Sequence, residues 1–299
     1  MSRSEALGDQ HEVALPQGVI RYRERGGSGE GPPIVFIHGL LVNGDLWRKV
    51  VPELASSNRC ITPDLPLGSH GRAMEPGADL SPPGLARLIA DFLAALDLRD
   101  VTLVANDTGG ALAQIAVTRH PERIGRLVLT SCDAFDNFLP PAFRPMQKLA
   151  RVPGLVWLML RAARNPLLAR IPLAFGWLAK RRFDDETLAS YTEPSLSDAA
   201  VRRDVIKVLS GISSEHTLTA ARELHRFERP VLVAWSREDR FFPQEHADEL
   251  ARLFPDARLE RIEDSYTFSP EDQPQRLAEL IGEFVGRSPR VRVVAGRSS

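Results

Sequence analysis

The stretch VTLVANDTGGALAQ, residues 101–114, constrains the fold more than any other part of the chain. Val101 to Ala105 form an unbroken run of apolar and β-branched residues, which predicts a strand buried in a parallel sheet. From Gly109 to His120 apolar residues recur at helical spacing. The chain therefore passes from strand to helix in a sharp turn, and Asp107 lies at its tip. Ala105, Gly109 and Gly110 are small, as a strained turn with strand and helix in close approach requires. The order small, any, nucleophile, any, small, small is that of a nucleophile elbow, and the helix N-terminus behind it favours negative charge. No G-x-S-x-G occurs, which argues against an ordinary serine hydrolase. A helix N-cap carboxylate is the plainer alternative for Asp107.

The rest of the chain alternates strands and helices. HEVALPQGVIRYRERGG reads as a β-hairpin turning near Pro16–Gly18. PPIVFIHG and NRCITPDLP predict short buried strands ending at His38–Gly39 and Asp64. An amphipathic helix opens at Ser81 with two prolines behind it. Strands over IGRLVLTSC, RPVLVAWS and ARLERIED, and helices over about 244–254 and 275–285, complete the pattern. Such alternation argues for a parallel sheet covered by helices on both faces. The interval from Phe135 to His216 breaks the alternation with helical, apolar-rich sequence, including Trp157, Leu158, Leu160, Phe175, Trp177 and Leu178. It is expected to be an inserted helical cap. The expected organisation is a core in two parts, 12–134 and 217–286, around a cap at 135–216, with a basic flexible tail at 287–299. GGSGEG at 26–31 precedes a strand and so is not a dinucleotide fingerprint.

Composition excludes some functions. A formal charge of −1 gives no electrostatic case for nucleic acid. The N-terminus lacks the apolar run of a secretory signal. GLVWLMLRAA is too short to span a bilayer and is broken by Arg161 and Arg164. The expectation is a cytoplasmic protein with no membrane contact, no cofactor and no metal site, with the homodimer question open. Cys60 and Cys132 lie in strand-like runs and read as buried, reduced thiols.

From Phe36 to Val285 the chain resembles the α/β-hydrolase fold, a mostly parallel central sheet flanked by helices with an inserted helical cap. An Asp at the elbow is similar to haloalkane dehalogenases and epoxide hydrolases. FIHG resembles the His-Gly loop whose backbone N–H groups help form an oxyanion hole, which places His38, Gly39 and Leu40 there. AWSREDRFFPQEHADEL resembles the segment carrying the triad acid, which maps to Asp239, although that acid could instead cap the next helix. RIEDSYTFSPEDQPQRLAELI resembles the last strand, catalytic loop and final helix.

The resemblance breaks at the general base. Where the family carries His, this chain has Thr267 between Tyr266 and Phe268. In the Asp-nucleophile mechanism a carboxylate attacks carbon and a His-activated water hydrolyses the ester. A threonine hydroxyl has no usable pKa near neutrality for that step. Haloalkane dehalogenases place Trp after the nucleophile and often Asn after His-Gly; here these are Thr108 and Leu40. Epoxide hydrolases use two lid tyrosines and a Pro in H-G-x-P, whereas this cap has Tyr191 alone and Leu41. The Arg that follows the nucleophile in fluoroacetate-type dehalogenases is missing too.

His70, on the loop after the fourth strand, is the preferred substitute base, with a loop-stabilising role as its alternative. Asp133, after the strand RLVLTSC, is expected near Asp107 and Asp239, where close carboxylates raise at least one pKa. The reading is an enzyme, a hydrolase of a small apolar organic substrate using Asp107 by an atypical mechanism. The alternative is a non-catalytic, ligand-binding, lyase or isomerase member of the fold.

Overall fold

The computed structural model describes residues 5–27, 31–152 and 154–286. The tail expected at 287–299, and residues 28–30 of the glycine-rich turn, lie outside the described residues.

Eight strands form one sheet: β1 Asp9–Leu15, β2 Gly18–Arg25, β3 Ile34–Ile37, β4 Cys60–Pro63, β5 Val101–Asp107, β6 Ile124–Cys132, β7 Val231–Ser236 and β8 Ala257–Ile262. Their order is β1-β2-β4-β3-β5-β6-β7-β8. The β1/β2 hairpin and the β2/β4 pair are antiparallel, and all remaining pairs are parallel. The helices are α1 Val51–Leu54, α2 Pro82–Ala95, α3 Thr108–Arg119, α4 Arg144–Leu149, α5 Leu155–Ala163, α6 Asp185–Ser197, α7 Ala199–Gly211, α8 Ser214–Glu223, α9 Gln244–Leu253, α10 Ser269–Asp272 and α11 Pro274–Val285.

The central strands carry apolar residues on both faces, because helices cover both. Along β5, Leu103 and Ala105 face the core shared with α2, α3 and α8, while Val104 faces the core shared with α1 and α11. β6 and β7 repeat the alternation, Leu127 and Val231 on the first side, Val128 and Leu232 on the second. The two-residue period of a strand produces this division directly. Ser81 caps α2 as the sequence predicts, its hydroxyl accepting from Gly84 N–H, with Pro82 at the first helical position.

Helices α4 to α7 lie between β6 and β7 in sequence. Polar latches tie them to the loops after β4 and β3: Ser69 Oγ donates to the Tyr191 carbonyl at 2.6 Å and Ser195 Oγ to the Gly68 carbonyl at 2.5 Å after β4, and Asn43 Nδ2 after β3 donates to the Ser190 carbonyl at 2.9 Å. His216 lies within α8, which packs on α3, and α7 ends at Gly211.

Candidate active site

The elbow forms where β5 runs into α3. Asp107 has φ 54° and ψ −134°, a positive φ that L residues rarely adopt and that costs on the order of 1–3 kcal/mol. It makes no side-chain cap bond to α3, so the N-cap alternative does not describe it. A Cβ on Gly109 would sit 2.5 Å from the His38 carbonyl oxygen, and one on Gly110 would sit 2.3 Å from Cys132 Cβ. These contacts are the physical reason for the two glycines that follow the acid and its neighbour.

Asp107 Oδ2 accepts a hydrogen bond from Leu40 N–H at 3.1 Å. The Thr108 N–H also favours its charged form, so backbone donors from the loop after β3 and from the start of α3 converge on one carboxylate. A Cβ at Gly39 would come 2.0 Å from the same oxygen, so the His-Gly loop approaches this closely only with glycine there. His38 shapes the loop without facing the acid: its Nε2 accepts from Leu65 N–H at 2.9 Å and its Nδ1 lies 2.9 Å from the Gly39 carbonyl. With Nε2 accepting, Nδ1 carries the proton and donates.

Asp107 and Thr108 meet a cavity of about 120 Å³ whose remaining walls are apolar, among them Leu40, Leu41, Phe143, Leu160, Phe175 and Leu178. The inserted helices supply most of this lining. Among the described residues Asp107 is the one carboxylate that lines it. Burial pushes the Asp107 carboxyl up to about 6, the two backbone N–H groups pull it down, and the charge of Asp239 pushes it up again.

Asp239 and Thr267 meet as the resemblance implies for the triad acid and the base position. Asp239 Oδ1 accepts from the N–H groups of Phe241 and Phe242, each at 2.8 Å, and from Thr267 Oγ1 at 3.2 Å. Its Oδ2 is buried and has no hydrogen-bond partner among the described residues. Burial pushes this carboxyl up to about 6 against those hydrogen bonds. Asp239 thus turns the chain after β7 and lies near enough to Asp107 for its charge to act on it, although it does not itself line the cavity.

Asp133 completes a cluster of three acids. It is fully buried and accepts from Thr108 Oγ1 at 3.2 Å, while its other oxygen has no partner among the described residues. Burial first, and the charge of Asp107 second, push its carboxyl well above the usual range. It lies beneath the elbow and does not line the cavity. The sequence reading expects at least one of three neighbouring carboxyls to be raised; burial raises Asp107, Asp133 and Asp239 alike.

His70 is not brought to Asp107. Its Nε2 lies 3.2 Å from Asp204 Oδ2 on α7, and its Nδ1 accepts from Gly68 N–H at 3.3 Å. Asp204 also accepts from Met74 N–H at 2.7 Å, so His70 belongs to a buried knot that fastens α7 to the loop after β4. It is not part of the cavity lining. This corrects its assignment as substitute base in favour of the loop-stabilising alternative. Tyr191 is fully buried, with its ring near Phe175 and Phe183.

Sequence reasoning passed over Asn106, which fills a freely variable place in the elbow pattern. Its Nδ2 reaches Thr130 Oγ1 at 2.7 Å, the Ser131 carbonyl at 3.1 Å and the Thr267 carbonyl at 2.8 Å. It sutures the elbow to β6 and to the loop carrying Thr267. A polar residue inside an otherwise apolar strand was the available signal. Cys60 and Cys132 are buried and unbridged, and burial pushes the Cys60 thiol up to about 12, which leaves it inert as a nucleophile. Among the described residues no cluster of His, Cys, Asp and Glu is arranged to hold a metal.

Comparison with known proteins identifies relatives and the fold family. Haloalkane dehalogenase 2 of Mycobacterium tuberculosis is 28% identical over 279 residues, covering 90% of this chain and 92% of that one. An uncharacterized protein of the same organism is 28% identical over 275 residues, covering 86% and 76%. In fold, the crystal structure of a haloalkane dehalogenase from Bradyrhizobium elkani superposes with a TM-score of 0.76 at 21% identity, covering 93% of this chain and 97% of that one. The family model for the alpha/beta hydrolase fold matches residues 32–274. The elbow, the sheet order and this match lead to one conclusion: the chain belongs to the alpha/beta hydrolase fold family.

Proposed function

We propose that this protein is a hydrolase in which Asp107 attacks carbon in a small apolar electrophile and Asp239 takes over the work of the absent histidine. The observation that carries the reading is a single carboxylate facing an apolar cavity, with one oxygen held by the Leu40 N–H at 3.1 Å. That oxygen is fixed by donors suited to an oxyanion, which leaves the other to act on a bound molecule. The haloalkane dehalogenase relatives support carbon as the target.

In the first step an Asp107 oxygen forms a bond to carbon, and the leaving group departs with its electron pair. In the second, water adds to the Asp107 carboxyl carbon of the ester, and the resulting oxyanion is held by the N–H groups of Leu40 and Thr108. Thr267 donates to Asp239 and has no basicity to offer. The unpartnered Asp239 Oδ2, on a carboxyl pushed up to about 6, accepts the water's proton and returns it to the departing alkoxide. That value lies close to the ordinary value for histidine, roughly 6.5. Nucleophilic attack needs ionised Asp107, so the first step accelerates as pH rises through about 6 and levels off above.

The leaving group finds little help. Leu40 and Thr108 stand where dehalogenases carry Asn and Trp, and the Thr108 hydroxyl donates to Asp133. Iodide and bromide, which are weakly hydrated, should leave faster than chloride. The test is intact-protein mass spectrometry and product release with 1-iodobutane, 1-chlorobutane, a butyl epoxide and an activated butyl ester. The wild-type protein should release product, Asp239→Asn should accumulate a butyl adduct mapping to Asp107, and Asp107→Asn should do neither. Neither adduct nor product from any of these would overturn the reading and favour the non-hydrolytic, ligand-binding alternative.

A further inference from the structure

Between Asn137 and Phe183 the chain has nine Lys and Arg residues and no Asp or Glu. With 38 basic and 39 acidic residues in all, the remainder holds 29 basic against 39 acidic. Positive charge is therefore gathered in one segment of a nearly neutral protein. The same segment carries the exposed apolar side chains: nine of the ten large ones among the described residues lie between Leu149 and Trp177. They include Leu167 at 77% exposure, Leu158 at 57%, Trp157 at 40% and Trp177 at 38%.

Helix α5 has two apolar sides. Val156, Leu160 and Ala163 face the cavity, while Trp157, Leu158 and Arg161 face solvent. Trp177 is likewise exposed beside Phe175 and Leu178, which line the cavity. The outer apolar face is thus the reverse of the cavity wall. Lys148, Arg151, Arg161, Arg164, Arg170 and Arg182 have no carboxylate within ion-pair distance among the described residues, unlike Lys180 and Arg181, which pair with Asp264.

Concentrated apolar exposure of this kind marks a surface that is covered in use. A second copy of the chain fits poorly, because a two-fold interface would set an all-cationic segment against itself. Anionic lipid satisfies both properties: Trp and Leu enter the headgroup boundary, and Arg and Lys meet phosphate. We propose that the outer face of residues 144–182 docks on the surface of an anionic bilayer. It would lie on the surface without crossing it, since no helix of the described residues is long and apolar enough to cross. This departs from the sequence expectation of no membrane contact. Met159 both lines the cavity and is 36% exposed, so docking sets the cavity wall against the phase in which apolar molecules dissolve.

The experiment uses the full chain and sedimentation with vesicles of phosphatidylcholine, alone or mixed equally with phosphatidylglycerol. Binding should be at least about tenfold stronger on the anionic vesicles and should weaken as salt is raised. Trp47 and Trp235 are fully buried, so a blue shift in tryptophan fluorescence on binding reports Trp157 and Trp177. Trp157→Gln with Leu158→Gln should lower binding at least about tenfold, and Arg161→Glu with Arg170→Glu should remove the preference for anionic lipid. None of these residues lines the cavity, and an unchanged melting temperature reports an intact fold. Absence of binding to either vesicle, or full binding by the Trp157/Leu158 variant, would overturn the proposal. So would a vesicle-free dimer that this variant abolishes, which would identify a second copy as the occupant. No turnover enters the measurement, so its outcome is separate from the fate of the Asp107 reading.

Discussion

The floor and the roof of the cavity are built on opposite principles. The floor, where β3, β5, β6 and the Thr267 loop meet, is polar and tied at many points. Asp107 is held by Leu40 N–H, Asp239 by three donors, and the elbow by Asn106. The roof is apolar toward the cavity and mixed apolar and cationic outward, and its polar ties to the core run along its margins, around Ser69, Gly68 and Asp204 on one side and from Lys180 and Arg181 to Asp264 and Asp272 on the other. Chemistry needs reacting groups fixed within fractions of an ångström. Apolar recognition needs only shape and dryness, and none of the roof's polar ties lines the cavity.

The largest effect that would sharpen this contrast is expected at the floor. In Gly110→Val a Cβ placed 2.3 Å from Cys132 Cβ, with branching beyond it, forces β6 away from α3. A loss of more than about 4 kcal/mol in urea unfolding is expected, in the range of severe overpacking. A milder loss would mean that the floor yields more than its contacts imply. On the inner side of the roof, Leu160→Ala removes a buried side chain that lines the cavity. It should cost about 2–4 kcal/mol and let larger alkyl halides label Asp107, because the cavity grows where substrate sits.

How far these features were legible follows the same division. The elbow was readable because its steric demands fall on three neighbouring residues, Ala105, Gly109 and Gly110, and Asp239 and Thr267 kept their order in the chain. The burial of Asp133 beside Asp107 followed from strand ends converging at one edge of a parallel sheet. His70 was misjudged because its partner Asp204 lies 134 residues away on α7, and no local pattern records that pairing. Asn106 escaped notice because its role depends on three acceptors from distant segments. The two-sided apolarity of α5 was visible as composition, but which residues faced outward depended on packing.

A third prediction tests the strain held in the floor. The Asp107 carboxyl is raised from 3.8 to about 6. The folded state therefore binds the proton more tightly than the unfolded chain, and the associated stability is present below about pH 4. It is lost as pH rises through about 6 and stays lost above. Roughly two pKa units correspond to about 3 kcal/mol, an upper bound because Asp239 shares the shift. Asp107→Asn should then stabilise the protein by up to about 3 kcal/mol at pH 7.5 and by almost nothing at pH 3.5, as read by urea unfolding at both values. A variant equally stabilised at both would place the cost in backbone strain instead of buried charge.

The smallest effect is expected on the outer side of the roof, and its smallness is the informative part. Trp157 and Leu158 are 40% and 57% exposed, so replacing both with Gln gives up only part of the apolar contact that a fully buried pair would lose. A change of about 1 kcal/mol or less is expected. Leu160, two residues further along α5 and 3% exposed, is expected to cost several times more. Urea unfolding of the Trp157/Leu158 variant beside Leu160→Ala compares the two sides of one helix. A loss above about 1.5 kcal/mol for the outer pair would mean that both sides hold the fold together. A near-zero change would leave folding no reason to keep Trp and Leu in water there, so their place on the helix would have to be explained by something the outer face meets.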